Sequence, residues 1–127
     1  MEYTIQLAND SQIIKVTIAG IWNAETDKTM ALDVMAKVEK TGVDKVLIDM
    51  RELQFDLPML NLFDRAKELR DQRSNFISHS NRVALVYKPT DKKMDSNLKF
   101  FEDASQNRGL PYRVFKDAAS ALEWLLK

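Results

Sequence analysis

The chain has no cysteine. Disulfides, thiolate catalysis and zinc–sulfur sites are therefore excluded. It has a single histidine, His79, in the polar run Ser78-His79-Ser80-Asn81. One imidazole leaves little for a transition-metal site, and no Ser–His–acid order surrounds it. Only three glycines are present, Gly20, Gly42 and Gly109. No glycine-rich loop can cradle phosphates, and GxGxxG, Walker, GxSxG and HExxH motifs are all missing. Charge of one sign is also lacking: Lys plus Arg and Asp plus Glu number 19 each. A nucleic-acid binder needs an excess of cations to neutralise phosphates, so none is expected as partner. No apolar run approaches the roughly 20 residues of a membrane span. The start, MEYTIQLAND, is too polar for a signal peptide, which points to the cytoplasm.

What is present is globular composition: 127 residues, 45% hydrophobic and 30% charged. That length suits one domain with its own core, spanning 1–127. Tyr3, Ile5 and Leu7 alternate with polar residues, as do Ile14, Val16 and Ile18. With Asn9-Asp10-Ser11 between them, the two runs predict an N-terminal β-hairpin ending at Gly20. Asn23 is a candidate N-cap, with Glu25 and Asp27 in the first turn of a helix. Met30, Ala31, Val34, Met35 and Val38 recur at helical spacing, and Gly42 suits the left-handed stop.

The stretch KVLIDMRELQFDLPM, Lys45–Met59, is the pivot. It predicts a strand to Asp49, covered on both faces, then a loop from Arg51 to Leu57. A helix follows from about Pro58 to Asn75, since proline suits a first helical position. Arg82–Lys88 reads as a further buried strand. A helix from about Lys92 to Arg108 should bury Met94, Leu98, Phe101 and Ala104. Tyr112–Lys116 is the last strand, and Asp117 caps a helix carrying Leu122, Trp124 and Leu125. The order ββαβαβαβα implies an α/β domain with a mostly parallel five-stranded sheet and about four helices.

In such sheets, ligands and partners meet the loops beyond the carboxyl ends of the strands. Four loops share that edge: Gly20–Asn23, Arg51–Leu57, Lys88–Asp91 and Lys116–Asp117. They gather Trp22, Asn23, Phe55, Asp56, Leu57, Lys88 and Asp91 as a candidate partner or ligand edge. Each also has a plain structural role. Trp22 can pin a helix onto the core, and Phe55 shares that ambiguity. Asp49 and Asp56 can be posed as a catalytic carboxylate pair, yet an Asp ending a strand or preceding a helix more often bonds local backbone N–H groups. Lys88, Lys92 and Lys93 stand among Asp91 and Asp95, which reads as a solvated face. No catalytic residue, cofactor or metal site is read from the sequence.

The order of elements, the Gly20-Ile21 turn and the VLIDMREL run resemble the STAS domain, the SpoIIAA-like fold. The Arg113-Val114-Phe115-Lys116-Asp117 run with Ala121-Leu122-Glu123-Trp124-Leu125 resembles the stand-alone bacterial STAS/SEC14-like group. The first resemblance implies a non-enzymatic regulatory module that binds proteins. In the signalling members a Ser at the helix start after the Asp-ending strand is phosphorylated. Here that place reads Phe55-Asp56-Leu57-Pro58-Met59, and no Ser or Thr lies between Thr41 and Ser74. A phosphate has no acceptor there, so the switch should be absent. The SEC14-like side implies, as the alternative, a carrier of a lipid or another small apolar or acidic ligand. Sequential strands with right-handed crossovers would place most helices on one face. The other face would show Leu47, Ala84, Val86 and Phe115, to be covered by another helix, a ligand or a second subunit. A homodimer is the expected solution.

Overall fold

The computed structural model describes residues 1–54, 82–88, 96, 98–100, 102–103 and 112–127. Five strands form one sheet in the order β1-β2-β3-β4-β5. They are β1 Glu2–Ala8, β2 Ile13–Ile21, β3 Lys45–Gln54, β4 Arg82–Val86 and β5 Tyr112–Phe115. β1 and β2 pair antiparallel, and the other neighbours are parallel. The fold is therefore the α/β arrangement expected, a hairpin followed by parallel strands. Among the described residues, helices fall in three places: α1 at Ala24–Thr41, residues around Leu98, and a C-terminal helix at Ala118–Leu125. The helix expected over Pro58–Asn75 lies outside the described residues, as do Met94, Phe101 and Ala104.

Local chemistry sets the ends of the helices. The Asn23 side chain accepts from the Thr26 N–H at 2.9 Å, capping α1, and Glu25 and Asp27 stand in its first turn. Gly42 closes α1 at φ 74, where its N–H reaches the Val38 carbonyl at 2.8 Å. Asp117 caps the C-terminal helix by accepting from the Ser120 N–H at 2.7 Å. That bond holds its carboxyl below the usual carboxylate range. In the hairpin turn, Asn9, Asp10 and Ser11 all take left-handed φ, and the Gln12 N–H closes the loop onto the Asn9 carbonyl at 3.2 Å.

The sheet carries two apolar layers. On one face, Ile14, Val16 and Ile18 of β2 meet Met30, Ala31 and Val38 of α1, with Val46, Val83, Leu85 and Leu98 in the same layer. On the other, Ile13, Leu47, Ala84 and Val86 meet Ala121 and Leu125 of the C-terminal helix. Val46 and Leu47, adjacent in sequence, are both buried, as a strand covered on both faces requires. The stripe Leu47, Ala84, Val86 and Phe115 is thus covered by the chain's own last helix. Of the expected covers, another helix, a ligand or a second subunit, the helix is the one seen on it.

Two expectations are corrected. Gly20 does not end β2, which runs through it to Ile21. Gly20 sits at φ +95, a conformation that L side chains rarely adopt. The loop from Arg51 is also partly strand, because β3 continues to Gln54. Thr17 pairs with Asp49 and Ala19 with Glu52, so β3 carries one extra residue there. Such a bulge breaks the alternation. Arg51 and Glu52 are consecutively exposed, and Leu53 turns back into the core.

Candidate functional site

Because β2 to β5 run parallel, Ile21, Gln54, Val86 and Phe115 end at one edge of the sheet. α1 and the C-terminal helix start there too, at Asn23 and Asp117. The fold therefore builds the carboxyl edge that the sequence predicts. Of the residues expected on it, Trp22, Asn23 and Lys88 are described, and Phe55, Asp56, Leu57 and Asp91 lie outside the described residues.

Trp22 is half-buried and packs against the α1-side core. Its backbone N–H donates to the Gln54 carbonyl at 3.0 Å, extending the β2–β3 pairing by one residue. The residue four positions into the helix is Asp27, so no apolar staple forms within α1, and the indole rests on the sheet layer instead. The Asn23 side chain is committed to its cap, and its carbonyl accepts from the Asp27 N–H at 2.9 Å. Neither Trp22 nor Asn23 needs a ligand to explain its place. Lys88 is exposed just past Tyr87, whose N–H donates to the Phe115 carbonyl at 3.0 Å. Val86 pairs with Asp49, whereas Trp22 follows the Ile21–Gln54 pair. Trp22 and Lys88 are thus staggered along the strand direction by on the order of 10 Å. They belong to one edge without forming one pocket.

The residue that sequence reasoning missed is Ile21. It is 66% exposed, the most open large apolar side chain among the described residues. Its signal was the Ile21-Trp22 pair before the cap. Strand alternation sends one of two such neighbours inward and the other outward once β2 is known to run through Gly20. It places a large apolar side chain in water at the end of β2, on the carboxyl edge.

Asp49 behaves as a structural carboxylate. The Arg51 Nε donates to Oδ1 at 2.9 Å, the Arg51 Nη2 to Oδ2 at 2.7 Å, and the Arg51 backbone N–H to Oδ1 at 3.2 Å. Those side-chain bonds hold the Asp49 carboxyl below the usual aspartate range, against the opposing effect of burial; Lys15 adds to the lowering. A carboxylate so held is a poor general base at neutral pH. A depressed folded-state pKa stabilises above the unfolded value, near about 4, and the benefit is lost as pH falls through the folded value. Arg51→Ala is expected to lower stability by up to about 1 kcal/mol at neutral pH, since its side chain is 44% exposed to screening water. Melts at neutral pH and at about pH 3 should show that difference shrinking in acid. An equal loss at both would mean that the ion pair is irrelevant.

Elsewhere, an open depression of about 350 Å³ lies at the opposite edge, lined by Gln12, Gly42, Val43, Asp44, Lys45 and Leu126. It is remote from every residue expected to form a site. Among the described residues no group of His, Asp and Glu could hold a metal ion. No helix among them is long and apolar enough to cross a membrane.

Three solved structures are similar to this chain. One is an anti-sigma factor antagonist from Mycobacterium paratuberculosis, with a TM-score of 0.62 and 9% identity, covering 99% of this chain and 96% of that one. A second is the anti-sigma factor antagonist SpoIIAA in its unphosphorylated form, with a TM-score of 0.59 and 8% identity, covering 98% of this chain and 96% of that one. A third is an uncharacterised protein of the DUF3478 family with a SpoIIAA-like fold, from Shewanella loihica PV-4. Its TM-score is 0.59 at 20% identity, covering 98% of this chain and 92% of that one. No family model matches the chain, and no curated protein does. Coverage of nearly the whole chain, with the hairpin, the parallel strands and the two-sided helices in place, shows a STAS-like (SpoIIAA-like) fold, that of the anti-sigma factor antagonists.

Proposed function

We propose that the protein is a non-enzymatic regulatory module of a bacterial cytoplasm that binds a protein partner through the carboxyl edge of its sheet. The observation that carries this reading is exposed Ile21 beside Trp22 and Gln54, at the edge where an α/β sheet meets its partners. Two similar structures are anti-sigma factor antagonists, which supports a protein as the partner's class. Phe55, Asp56, Leu57, Lys88 and Asp91 extend the proposed surface. Control by phosphate at the helix start after β3 is absent in this reading, because that stretch carries no hydroxyl from Gly42 to Arg73. Asp49 is spent on Arg51, so the reading assigns no catalytic pair. The alternative is a carrier of a small apolar or acidic ligand near Trp22 and Phe55; the stripe of Leu47, Ala84 and Val86 offers it no second site, since Leu125 and Ala121 fill it.

The test is affinity capture from the native cell with the wild type and with Ile21→Glu, read by mass spectrometry beside native mass spectrometry of the bait. Ile21 is exposed, so the charge should leave the fold intact and remove the apolar contact. A protein retained by the wild type and lost with Ile21→Glu supports the reading. A co-purified small apolar molecule, with no protein sensitive to Ile21→Glu, would replace it with the carrier.

A further inference from the structure

The two lateral edges of the sheet are built differently. β5 is the edge at one side and has four residues. The Val114 N–H donates to the Glu102 carboxylate at 2.7 Å, so a buried side chain covers it. β1 is the edge at the other side, with seven residues, and its pairing with β2 runs from Glu2 to Ala8 without a register break. Proteins blunt such edges with lysine, proline or a bulge. β1, reading EYTIQLA, has none of these. Among the described residues no strand pairs with its outer side.

An open strand edge accepts another strand, because its backbone N–H and C=O groups alternate outward with no partner. The sequence of β1 says which strand. Placed against itself antiparallel about a two-fold axis at Ile5, β1 sets Ile5 on Ile5, Tyr3 on Leu7 and Thr4 on Gln6, with Glu2 against Ala8. Tyr3, Ile5 and Leu7 share one face, so this register gives an aromatic–aliphatic pair on either side of an aliphatic one. Leu7, 38% exposed, gains a neighbour. The Tyr3 hydroxyl donates to Asp33 of α1, which fixes that ring on the same face. Glu2 is the strand's only charge and meets no like charge. An isologous contact needs this self-complementarity.

We propose that two copies of the chain associate through antiparallel β1–β1 pairing, joining two five-stranded sheets into one of ten. This surface is not the face of Leu47, Ala84 and Val86, which the C-terminal helix occupies. It is also separate from the carboxyl edge, so either proposal can fail alone.

The test uses the full chain in sedimentation equilibrium at micromolar concentration, with two double variants of exposed residues. Thr4→Glu with Gln6→Glu sets like charges against each other twice across the axis. Thr4→Glu with Gln6→Lys sets opposite charges there. Far-UV circular dichroism checks that each folds. The wild type is expected as a dimer, the like-charge variant with a dissociation constant raised by roughly tenfold or more, and the opposite-charge variant still dimeric. A monomeric wild type overturns the proposal, and so does a dimer that both variants leave unchanged.

Discussion

Leu125→Ala is expected to cost about 2–5 kcal/mol, the range for truncating a buried leucine that leaves a cavity. A domain of this size is stable by only about 5–15 kcal/mol, so this is a large share of the whole. Leu125 is fully buried, beside Ala121, against Ile13, Leu47, Ala84 and Val86. The helix that carries it has eight residues. An isolated helix that short is not stable in water, so it exists because its apolar face is docked. Its other holds are peripheral. The Arg82 Nη1 donates to the carbonyls of Trp124 at 2.9 Å and Lys127 at 3.1 Å, satisfying groups that the helix end leaves open. The Trp124 ring lies 5.7 Å from the guanidinium carbons of both Arg82 and Arg113. Such contacts at a partly exposed site add about 0.5–1 kcal/mol each and cannot replace the leucine. Urea denaturation should show the midpoint falling. A hydrophobic dye should bind the variant more strongly, because an undocked helix uncovers Leu47, Ala84 and Val86. A midpoint equal to that of the wild type would show that the C-terminal helix is not part of the cooperative core.

The same helix shows how far the sequence could be read. Its cap at Asp117 and its apolar residues were legible, because capping and helical spacing are local. Its position was not. Leu47, Ala84, Val86 and Phe115 look like an uncovered stripe until the last helix is placed, and the side of the sheet it takes is a long-range choice. Asn23 and Gly42 were legible for the same local reason. The end of β3 was misread because the bulge between Asp49 and Glu52 puts two polar residues outward in succession, the pattern of a loop. That misreading also hid Ile21, whose outward direction depends on β2 and β3 running on together. For Asp49 the sequence favours a structural role over half of a catalytic pair, and its three bonds to Arg51, one of them from the backbone N–H, are of that kind.

The burial of Glu102 is not legible in the sequence, because a glutamate on an amphipathic helix reads as solvent-facing. It is buried, with one carboxylate oxygen accepting from Lys99 Nζ at 2.9 Å and the other from the Val114 N–H at 2.7 Å. Two effects can be separated by substitution. Glu102→Gln keeps an oxygen for Val114 and loses the charge. Lys99 is 63% exposed, so screening by water should make the lost ion pair cost little. Glu102→Ala removes the acceptor itself and leaves an N–H unsatisfied beside the core, at a cost of about 1–3 kcal/mol. Lys99→Ala should resemble the glutamine variant, because the acceptor survives in both. Denaturant midpoints of the three variants decide the matter, with alanine at 102 expected well below the other two. Equal losses for Glu102→Ala and Lys99→Ala would mean that the ion pair matters and the backbone bond does not. The expected order has a structural consequence. An unpaired N–H at a strand edge is a template for another strand, so Glu102→Ala should also aggregate on heating before its lost stability alone would require. Among the described residues, the carboxylate thus blocks the Val114 N–H on the β5 edge, and β1 is the edge left for pairing.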